Sequence, residues 1–348
     1  MNLKLPDYDY KEAFVNISYH LKKAEPFLGE NYKIASEQLI LVNNWNNNLN
    51  ITGKETLKTL KSEIELKFSS KEAEIIFDKK TGFINSYTYK NKNLIKQGFE
   101  LKPNFWRSPT DNDMGANLQV KLLLWKNAID SIVLKEITHK IDKENKVSVN
   151  TLYRLPQVYA DLTIDYEFSS TGELMVNQTI KIDGEVEVPM MPRFGMELVL
   201  PKEFNAIKYY GKGPFENYVD RNFASEVGVF EQTVSEQYYP YIRPQETGNK
   251  TDIRWYSIFN EAQKITIEGN TLLGVTALHY LNEDLDDGLV KNQRHAGEFS
   301  ERDLTRILID FKQMGVGSIN SWGALPLENY RLTEKNYSLI FKLTPKIK

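Results

Sequence analysis

Alternating apolar and polar positions recur along most of the chain. The alternation is clearest in one strand-like run, whose apolar positions are Leu162, Ile164, Tyr166 and Phe168. Similar runs occur at 64–68, 73–77, 265–267, 307–311 and 337–343. A period of two is typical of strands that bury one face, and the Gly-containing segments 79–82 and 169–172 predict hairpin turns. The pattern therefore predicts an all-β fold built around a large antiparallel sandwich.

Helical periodicity is rare in this sequence. Leu118, Leu122 and Trp125 fall at i, i+4 and i+7 and predict one helix. A (β/α) barrel needs eight helices and roughly 250 residues. The chain is therefore not expected to contain a barrel.

A domain boundary is predicted near residues 42–62. This stretch contains the Asn-rich segment 43–48 and then a polar, Lys-rich run. The strand-like residues 13–20 precede it, but about fifty residues bury too little surface for an independent sandwich. We predict that 1–50 is the C-terminal part of an immunoglobulin-like sandwich, that 51–62 is a linker, and that 63–348 is the main β domain.

Composition excludes several classes of partner. The formal net charge of the 348 residues is −3, so electrostatics favour neither nucleic acid nor an anionic membrane as a partner. Cysteine is absent, which excludes disulfides and thiolate metal sites. No apolar run approaches the roughly 18 residues of a membrane helix. The compartment stays open between bacterial cytoplasm and periplasm.

Four segments carry Gly, Pro and charged residues in a dense, ordered pattern. They are FWRSPTDNDMG at 105–115, GKGPFENYVDR at 211–221, YPYIRPQETGN at 239–249 and MGVGSINSW at 314–322. Together they resemble signatures in the C-terminal part of glycoside hydrolase family 2 β-galactosidases, with Ser318 in place of a family glycine. The resemblance covers nearly all of 60–348, and 21–28 is similar to the end of the preceding immunoglobulin-like domain.

The resemblance implies a role within a larger enzyme. Family members carry their two catalytic glutamates in a barrel domain, and their Mg and Na sites lie mainly outside this portion. This chain would hold a galactose mutarotase-like supersandwich with no catalytic residue, metal or cofactor of its own. Its partners would be the barrel and other domains of the same enzyme, a β-galactoside and, as is common in the family, further copies of that enzyme.

Trp322 is the main candidate for contact with sugar. Its indole lies in a Gly-rich loop, flanked by Ser321 and Gly323, and could stack on the apolar face of a hexose. The resemblance implies that it reaches from this domain into the catalytic pocket. Asn320 and Ser321 are weaker candidates for the same role. The alternative is that Trp322 anchors its loop in the sandwich, since tryptophan is usually well buried.

Glu216 and Glu246 raise the question of a catalytic pair. A retaining glycosidase needs two carboxyl groups about 5–5.5 Å apart. Both residues lie in Gly/Pro-rich loops, where carboxylates often hydrogen-bond irregular backbone instead. We favour this structural reading, in which Glu216, Asn217 and Asp220 fix a tight turn after Gly213-Pro214.

A second polar group precedes the predicted helix. Its members are Arg107, Asp111, Asn112 and Asp113. They lack the longer ligand series of a calcium loop, so we predict that they cap the helix and bind a neighbouring loop. Arg193 and Arg221 are candidate partners for such carboxylates. The acidic stretch 282–288 is predicted to be a solvated loop.

The sequence supports one leading function and two alternatives. The leading reading is a structural portion of a β-galactosidase that hydrolyses terminal non-reducing β-D-galactosides with retention. The alternatives are a carbohydrate-binding module that depends on Trp322 and a mutarotase-like aldose epimerase that depends on a histidine. The four histidines are too scattered for a local metal motif, and only His279 and His295 are candidates for the epimerase.

Overall fold

The computed structural model describes residues 10–141, 145–292, 294–317, 319–320 and 323–348. It divides after Asn48 into two units. The first unit contains two antiparallel strands, β1 (Glu12–His20) and β2 (Lys33–Asn43). Their apolar side chains stay largely exposed, including Tyr19 and Ile40. A two-stranded sheet with so little buried apolar area is only marginally stable alone.

The second unit begins with a five-stranded antiparallel sheet. Its strands follow in chain order, β3 (Lys58–Lys61), β4 (Glu65–Ser69), β5 (Ala73–Asp78), β6 (Ile84–Tyr89) and β7 (Lys92–Asn93). The predicted turn at 79–82 joins β5 to β6, and Gly82 adopts φ +74° there. Left-handed backbone is readily available to glycine, which explains the residue at this turn.

The predicted linker 51–62 is partly wrong. Ile51 and Leu57 are each only 3% exposed, and β3 pairs with β4 across 58–61. The apolar residues of this stretch are therefore built into the second unit, although its Lys-rich composition suggested a solvated connection.

A larger sheet of 12 strands completes the second unit. It contains β8 (Lys102–Asn104), β9 (Val133–Ile141), β10 (Lys146–Leu155), β11 (Ala160–Ser169), β12 (Leu174–Ile182), β13 (Arg193–Leu200), β14 (Ala206–Gly213), β15 (Glu226–Thr233), β16 (Lys250–Phe259), β17 (Gln263–Leu278), β18 (Thr305–Gln313) and β19 (Asn336–Ile347). The strands run in the order β15-β14-β16-β17-β19-β12-β11-β10-β9. All the recorded pairings are antiparallel, so the predicted fold class is confirmed.

The large sheet branches at its longest strand. β17 pairs with β19 through Gln263–Gly269 and with β18 through Gly274–Leu278. β18 then pairs with β13, and β13 pairs with β8. The branch brings the ends of β8 and β18 to neighbouring positions, because both lie against β13.

Aromatic side chains fill the space between the two sheets. Phe77 meets Tyr166 edge to face with ring centroids 5.1 Å apart, and Phe83 stacks on Tyr153 at 5.2 Å. Phe77, Tyr166 and Tyr153 occupy alternating buried positions of β5, β11 and β10, and Phe83 directly precedes β6. Burial of such rings is a large apolar contribution, so the period-two pattern locates the core correctly.

The predicted helix is replaced by three short ones. They are α1 (Asp111–Gly115), α2 (Leu118–Lys121) and α3 (Leu123–Asp130). Asn117 adopts φ +59°, which interrupts the helix before Leu118, while Trp125 is buried as the periodicity indicated. A further single turn, α4 (Asn282–Leu285), lies in the acidic stretch. Within the described ranges, none of the helices has the length and apolar character needed to cross a membrane.

Candidate functional site: a polar cluster of four sequence motifs

The four Gly/Pro-rich motifs meet in one network of hydrogen bonds. We call the described residues 105–115, 211–221, 239–249 and 314–317 the motif cluster. Arg107 and Asn112 bind the last of these segments, and Asp220 binds it from the second. The backbone N–H of Glu246 donates to the carbonyl of Ser108 at 3.2 Å and joins the third segment to the first. Residues more than 100 positions apart thus form a single site.

Arg107 is the centre of the first motif and is only 1% exposed. Its Nε and Nη2 donate to the two carboxylate oxygens of Asp113 at 3.1 and 2.8 Å. Its Nη1 donates to the carbonyl of Met314 at 2.6 Å, and Nη2 also donates to the carbonyl of Gly315 at 2.9 Å. Gln313 Oε1 lies 3.5 Å from Nη1. A guanidinium has five N–H donors, so these contacts satisfy the whole group.

Helix α1 fixes the carboxylate that Arg107 needs. Thr110 and Asp113 form a capping box, in which the Asp113 amide donates to Thr110 Oγ1 and the Thr110 amide donates to Asp113 Oδ2. Such a box satisfies backbone donors at the start of a helix. The predicted capping by this polar group is thus seen in Asp113, while the N-cap itself is Thr110.

Side chains hold the backbone of residues 314–317. Asn112 Nδ2 donates to the carbonyl of Val316 at 2.9 Å. The carboxylate of Asp220 accepts the amides of Val316 and Gly317 at 3.1 and 2.8 Å. The amides of Met314 and Gly315 donate to the carbonyls of Pro192 and Tyr330. All four N–H groups and the first three carbonyls of this short segment are therefore bonded.

The residues proposed to contact sugar follow this segment. Trp322 and Ser321 lie outside the described residues, and Asn320 is exposed. Gly323 resumes the chain at φ +97°, where a Cβ would lie 3.2 Å from the carbonyl oxygen of Gly115. Both described ends of this stretch therefore come close to α1.

Glu216 binds groups of the third motif. Its Oε2 accepts the Gly248 amide at 2.8 Å and the Thr247 hydroxyl at 3.0 Å, and Oε1 accepts bonds from Arg221 and Tyr241. Burial and the bond to Glu216 raise the pKa of Tyr241 to about 12. The Glu216 carboxylate thus links two loops and contacts four groups of the protein itself.

Asn217 closes the turn after Pro214. Its Nδ2 donates to the carbonyls of Lys212 and Phe215 at 3.1 and 3.0 Å. Its Oδ1 accepts the amide and the hydroxyl of Thr251 at 2.8 and 2.6 Å. The side-chain amide therefore replaces the backbone partners that an irregular turn lacks.

Two carboxylates share the buried guanidinium of Arg193. Glu246 Oε1 lies 2.6 Å from Nη2, and Asp310 Oδ2 lies 3.0 Å from Nε. The second contact is an ion pair without hydrogen-bond geometry, and among the described residues the Asp310 carboxylate has no hydrogen-bond donor. Burial raises the pKa of Asp310 to about 7; Arg193 opposes this shift and Glu246 adds to it. In the sequence, Asp310 is visible only as a single acidic residue between apolar neighbours.

The Asp111 carboxylate binds the third motif and Lys291 rather than the helix. Its carboxylate accepts bonds from Arg243, Lys291 and Gln245 at 3.0, 2.9 and 3.1 Å. Burial raises its pKa, but the bonds from Lys291 and Arg243 outweigh burial and lower the pKa overall. The predicted helix-capping role therefore does not describe Asp111.

The prediction that 282–288 is a solvated loop is wrong. Asp287 is bound by Arg243 at 2.6 Å and by Arg294 at 2.8 Å, and its side chain is only 3% exposed. Asp286 accepts bonds from Trp106 Nε1 and Lys126. Basic side chains distant in sequence pair with these two acids and allow them to be buried. Across the described part of the chain, no group of three metal-ligating side chains is present.

Comparison with known protein families matches most of the chain. Residues 69–343 match the β-galactosidase small chain. This chain belongs to that family.

The chain is also similar to longer proteins named β-galactosidase. It is 30% identical over 99% of its length to a β-galactosidase of Priestia megaterium, and it covers 33% of that protein. It is 32% identical over 90% of its length to a β-galactosidase of Lactobacillus delbrueckii subsp. bulgaricus, and it covers 30% of that protein. The chain spans about a third of the length of these relatives. A solved galactose 1-epimerase from Lactobacillus acidophilus is 9% identical with a TM-score of 0.46, and the match covers 84% of this chain and 98% of that one.

Within the described residues the four histidines lie apart from one another, and His295 borders the motif cluster at Ile242. His279 is buried, and its Nδ1 lies 2.7 Å from the carbonyl of Leu304. His139 packs its ring against Phe68 in the core. His295 is exposed, with Nδ1 3.4 Å from the carbonyl of Ile242, and His20 belongs to the first unit. The histidine-dependent epimerase gains no geometric support from these positions.

Proposed function

We propose that this chain is the structural C-terminal portion of a β-galactosidase that hydrolyses terminal non-reducing β-D-galactosides with retention. The match to the β-galactosidase small chain is the observation that carries the proposal. The catalytic glutamates then belong to the two thirds of the enzyme that this chain does not span.

The state of the cluster's carboxylates supports a non-catalytic role. Glu216 and Glu246 are each bound to other groups of the protein, and the Glu246 side chain is 5% exposed. A retaining pair must instead face a bound sugar, one carboxyl group as nucleophile and the other as acid/base. Carboxylates already bonded inside the fold are poorly suited to either task.

The contribution to sugar binding is assigned to Trp322, with Asn320 and Ser321 as lesser contacts. Its support is the family resemblance and the Gly-rich segment that precedes it. An indole offers a flat apolar surface to a pyranose without taking part in proton transfer. We therefore expect Trp322 to affect substrate binding more than the chemical step.

Two exposed surfaces of this chain are proposed to contact the rest of the enzyme. Large apolar side chains at or beside the motif loops stay exposed, namely Phe215, Phe223, Ile242 and Ile319. The two-stranded first unit likewise exposes apolar residues. Large apolar side chains left exposed on the loops of one site are candidates for contact with a partner. We assign the loop surface to contact with the catalytic barrel, and the first unit to an immunoglobulin-like sandwich of the same enzyme. Assembly into a homo-oligomer would be a property of the intact enzyme.

A chimera tests the proposal directly. This chain would replace the C-terminal third of the Priestia megaterium β-galactosidase, and hydrolysis of a chromogenic β-galactoside would be measured. We expect turnover from the chimera, release of the β-anomer first, and a raised KM in its Trp322→Ala variant. The chain alone should be inactive, so turnover by the isolated chain would contradict the proposal.

The same protein separates the two alternatives. Lactose binding by the isolated chain in calorimetry, lost in Trp322→Ala, would favour a carbohydrate-binding module. Faster interconversion of α- and β-galactose in polarimetry would favour an epimerase. We expect neither signal.

A further inference from the structure

The large sheet opens into a cleft beside the point where it branches. β17 pairs with β19 up to Gly269 and with β18 from Gly274 onward, so β18 and β19 diverge from a shared neighbour. A cleft of about 370 Å³ lies at this branch. We call it the fork cleft, and it is lined by residues 271–274 and 310–313 together with Val219, Asn249, Thr251 and Asp252. Its volume is within the range of small-molecule sites.

Two β-bulges border the fork cleft. Phe311 is the extra residue of β18 at a register shift against β13. The register of β16 against β17 shifts after Lys250, and Asp252 adopts φ +54° there, which is uncommon for a residue other than glycine. Bulges bend a strand and re-aim its side chains, and they are frequent beside functional sites. The irregular backbone on two walls therefore favours a binding role for the cleft.

Two buried polar side chains of the cleft have atoms without hydrogen-bond partners. Asp310 is fully buried, and Gln313 is only 3% exposed. Among the described residues, neither oxygen of the Asp310 carboxylate accepts a hydrogen bond, and Gln313 Nε2 donates none. Buried polar groups are nearly always hydrogen-bonded. The fork cleft therefore offers both an acceptor and a donor to a ligand.

An aromatic ring lines the same cleft. Phe311 is half-buried, and it also lines a neighbouring cleft of about 670 Å³. The two clefts share Val219 and residues 311–313, and the second adds Tyr330 and Tyr337. The face of a ring is a flat apolar surface, which suits the apolar face of a pyranose.

The charges around the fork cleft favour a neutral ligand. Lys312 and Asp252 both line it and carry opposite charges. Arg193 already faces the Asp310 carboxylate at 3.0 Å, which makes that carboxylate a poor ligand for a cation. A hydroxyl group both donates and accepts a hydrogen bond, so hydroxyl groups can bind Asp310 and Gln313 together.

We propose that the fork cleft binds a neutral sugar, with the apolar face of a pyranose against Phe311 and its hydroxyl groups bonded to Asp310 and Gln313. The inference does not depend on the proposed sugar contact of Trp322, because other residues carry it. A monosaccharide has few heavy atoms, so we expect a dissociation constant in roughly the millimolar range.

Amide chemical shifts of the isotope-labelled chain test the site without any substitution. Galactose, lactose and maltose are the probes, each titrated through millimolar concentrations. We expect at least one of them to shift the amides of Thr251, Phe311 and Gln313 in a saturable way. The inference is overturned if none of the three sugars gives a saturable shift at these amides.

Substitutions of the ring and of the amide test the two kinds of contact. Phe311→Leu keeps an apolar side chain but removes the flat ring, and Gln313→Met keeps the length but removes the donor. We expect each to weaken binding of the responding sugar roughly tenfold. Gln178→Met is the matched control, because Gln178 of β12 is also a buried amide without partners among the described residues. Unchanged affinity in both cleft variants would contradict the proposal.

Gly274→Val closes the cleft while leaving both polar groups in place. A Cβ at Gly274 would lie 3.5 Å from Asn249 Oδ1 and from the Asp310 Cβ, which is ordinary contact distance between cleft residues. The added side chain should therefore fit the fold and occupy space that the sugar needs. We expect binding to be lost, and full affinity in folded Gly274→Val would overturn the inference.

Trp322→Ala separates this site from a carbohydrate-binding module that depends on Trp322. Binding in the fork cleft should keep its affinity in that variant. Loss of binding in Trp322→Ala would assign the sugar to Trp322 and overturn the inference. The chimera tests the proposed function independently, because its turnover and the response of its KM to Trp322→Ala do not require sugar in the fork cleft.

Discussion

The interior between the two sheets and the motif cluster are both buried but are built from opposite kinds of side chain. Between the sheets, rings such as Phe77, Tyr166 and Phe83 make contacts that depend mainly on area. In the motif cluster Arg107 is almost inaccessible, as is Arg193, which binds the cluster residue Glu246, and both guanidinium groups depend on individual acceptors. Apolar contacts tolerate substitutions of similar volume, whereas a buried charge needs its own partner. We therefore expect the interior between the sheets to tolerate substitutions of similar volume, and the motif cluster to require its particular residues.

We expect the largest loss of stability when the buried group of ion pairs loses its central arginine. Arg193→Ala leaves Glu246 and Asp310 buried without their shared cation. We expect the free energy of unfolding to fall by about 4–5 kcal/mol, at the upper end for breaking a buried pair. Chemical denaturation of the chain measures it. Asp310→Asn in the Arg193→Ala background should recover part of the loss, and a loss below about 1 kcal/mol would show that the cluster tolerates unpaired charge.

Removing an aromatic ring from the interior should lower the free energy of unfolding by somewhat less. Phe77→Ala deletes a fully buried side chain that contacts the rings of Phe68 and Tyr166. We expect a loss of about 3–4 kcal/mol from transfer and cavity terms, and a smaller loss for Phe77→Leu. Val229→Ala is the control, because Val229 is exposed on the edge strand β15 and should change stability by less than about 0.5 kcal/mol. Equal losses at Phe77 and Val229 would remove the distinction between core and surface.

The most gradual effect is the pH dependence of stability that Asp310 contributes. Burial raises the pKa of Asp310 to about 7, above the roughly 3.9 of an unfolded aspartate. The native state then binds more protons between these values, so stability falls as pH rises from about 4 to about 7, by at most about 1.4 kcal/mol per pH unit. Asp310→Asn should abolish this component. A denaturation series across this pH range would refute the shift if Asp310→Asn and the parent chain showed parallel curves.

Local patterns predicted the strands well because alternation reflects one buried face. The runs around Leu162 and Ile75 became β11 and β5, and Gly172 adopts φ +85° in the predicted hairpin turn. The helix was located but not its break at Leu122, where the backbone (φ −105°, ψ 6°) leaves the helical conformation between α2 and α3 in a way that periodicity cannot show. The linker prediction failed in part because two apolar residues among the lysines, Ile51 and Leu57, are buried, and because β3 pairs with β4.

The sequence by itself determined the all-β class, the alternating core and the four motifs that identify the family. Each follows from residues close together in the chain, since side-chain alternation and turn chemistry are local properties. Only the tertiary structure decided which charges pair. Arg107 binds residues 207 and 208 positions away, and the acids at 286 and 287 are drawn inside by Lys126 and Arg243. Such pairs depend on where strands end in space, which no local spacing records.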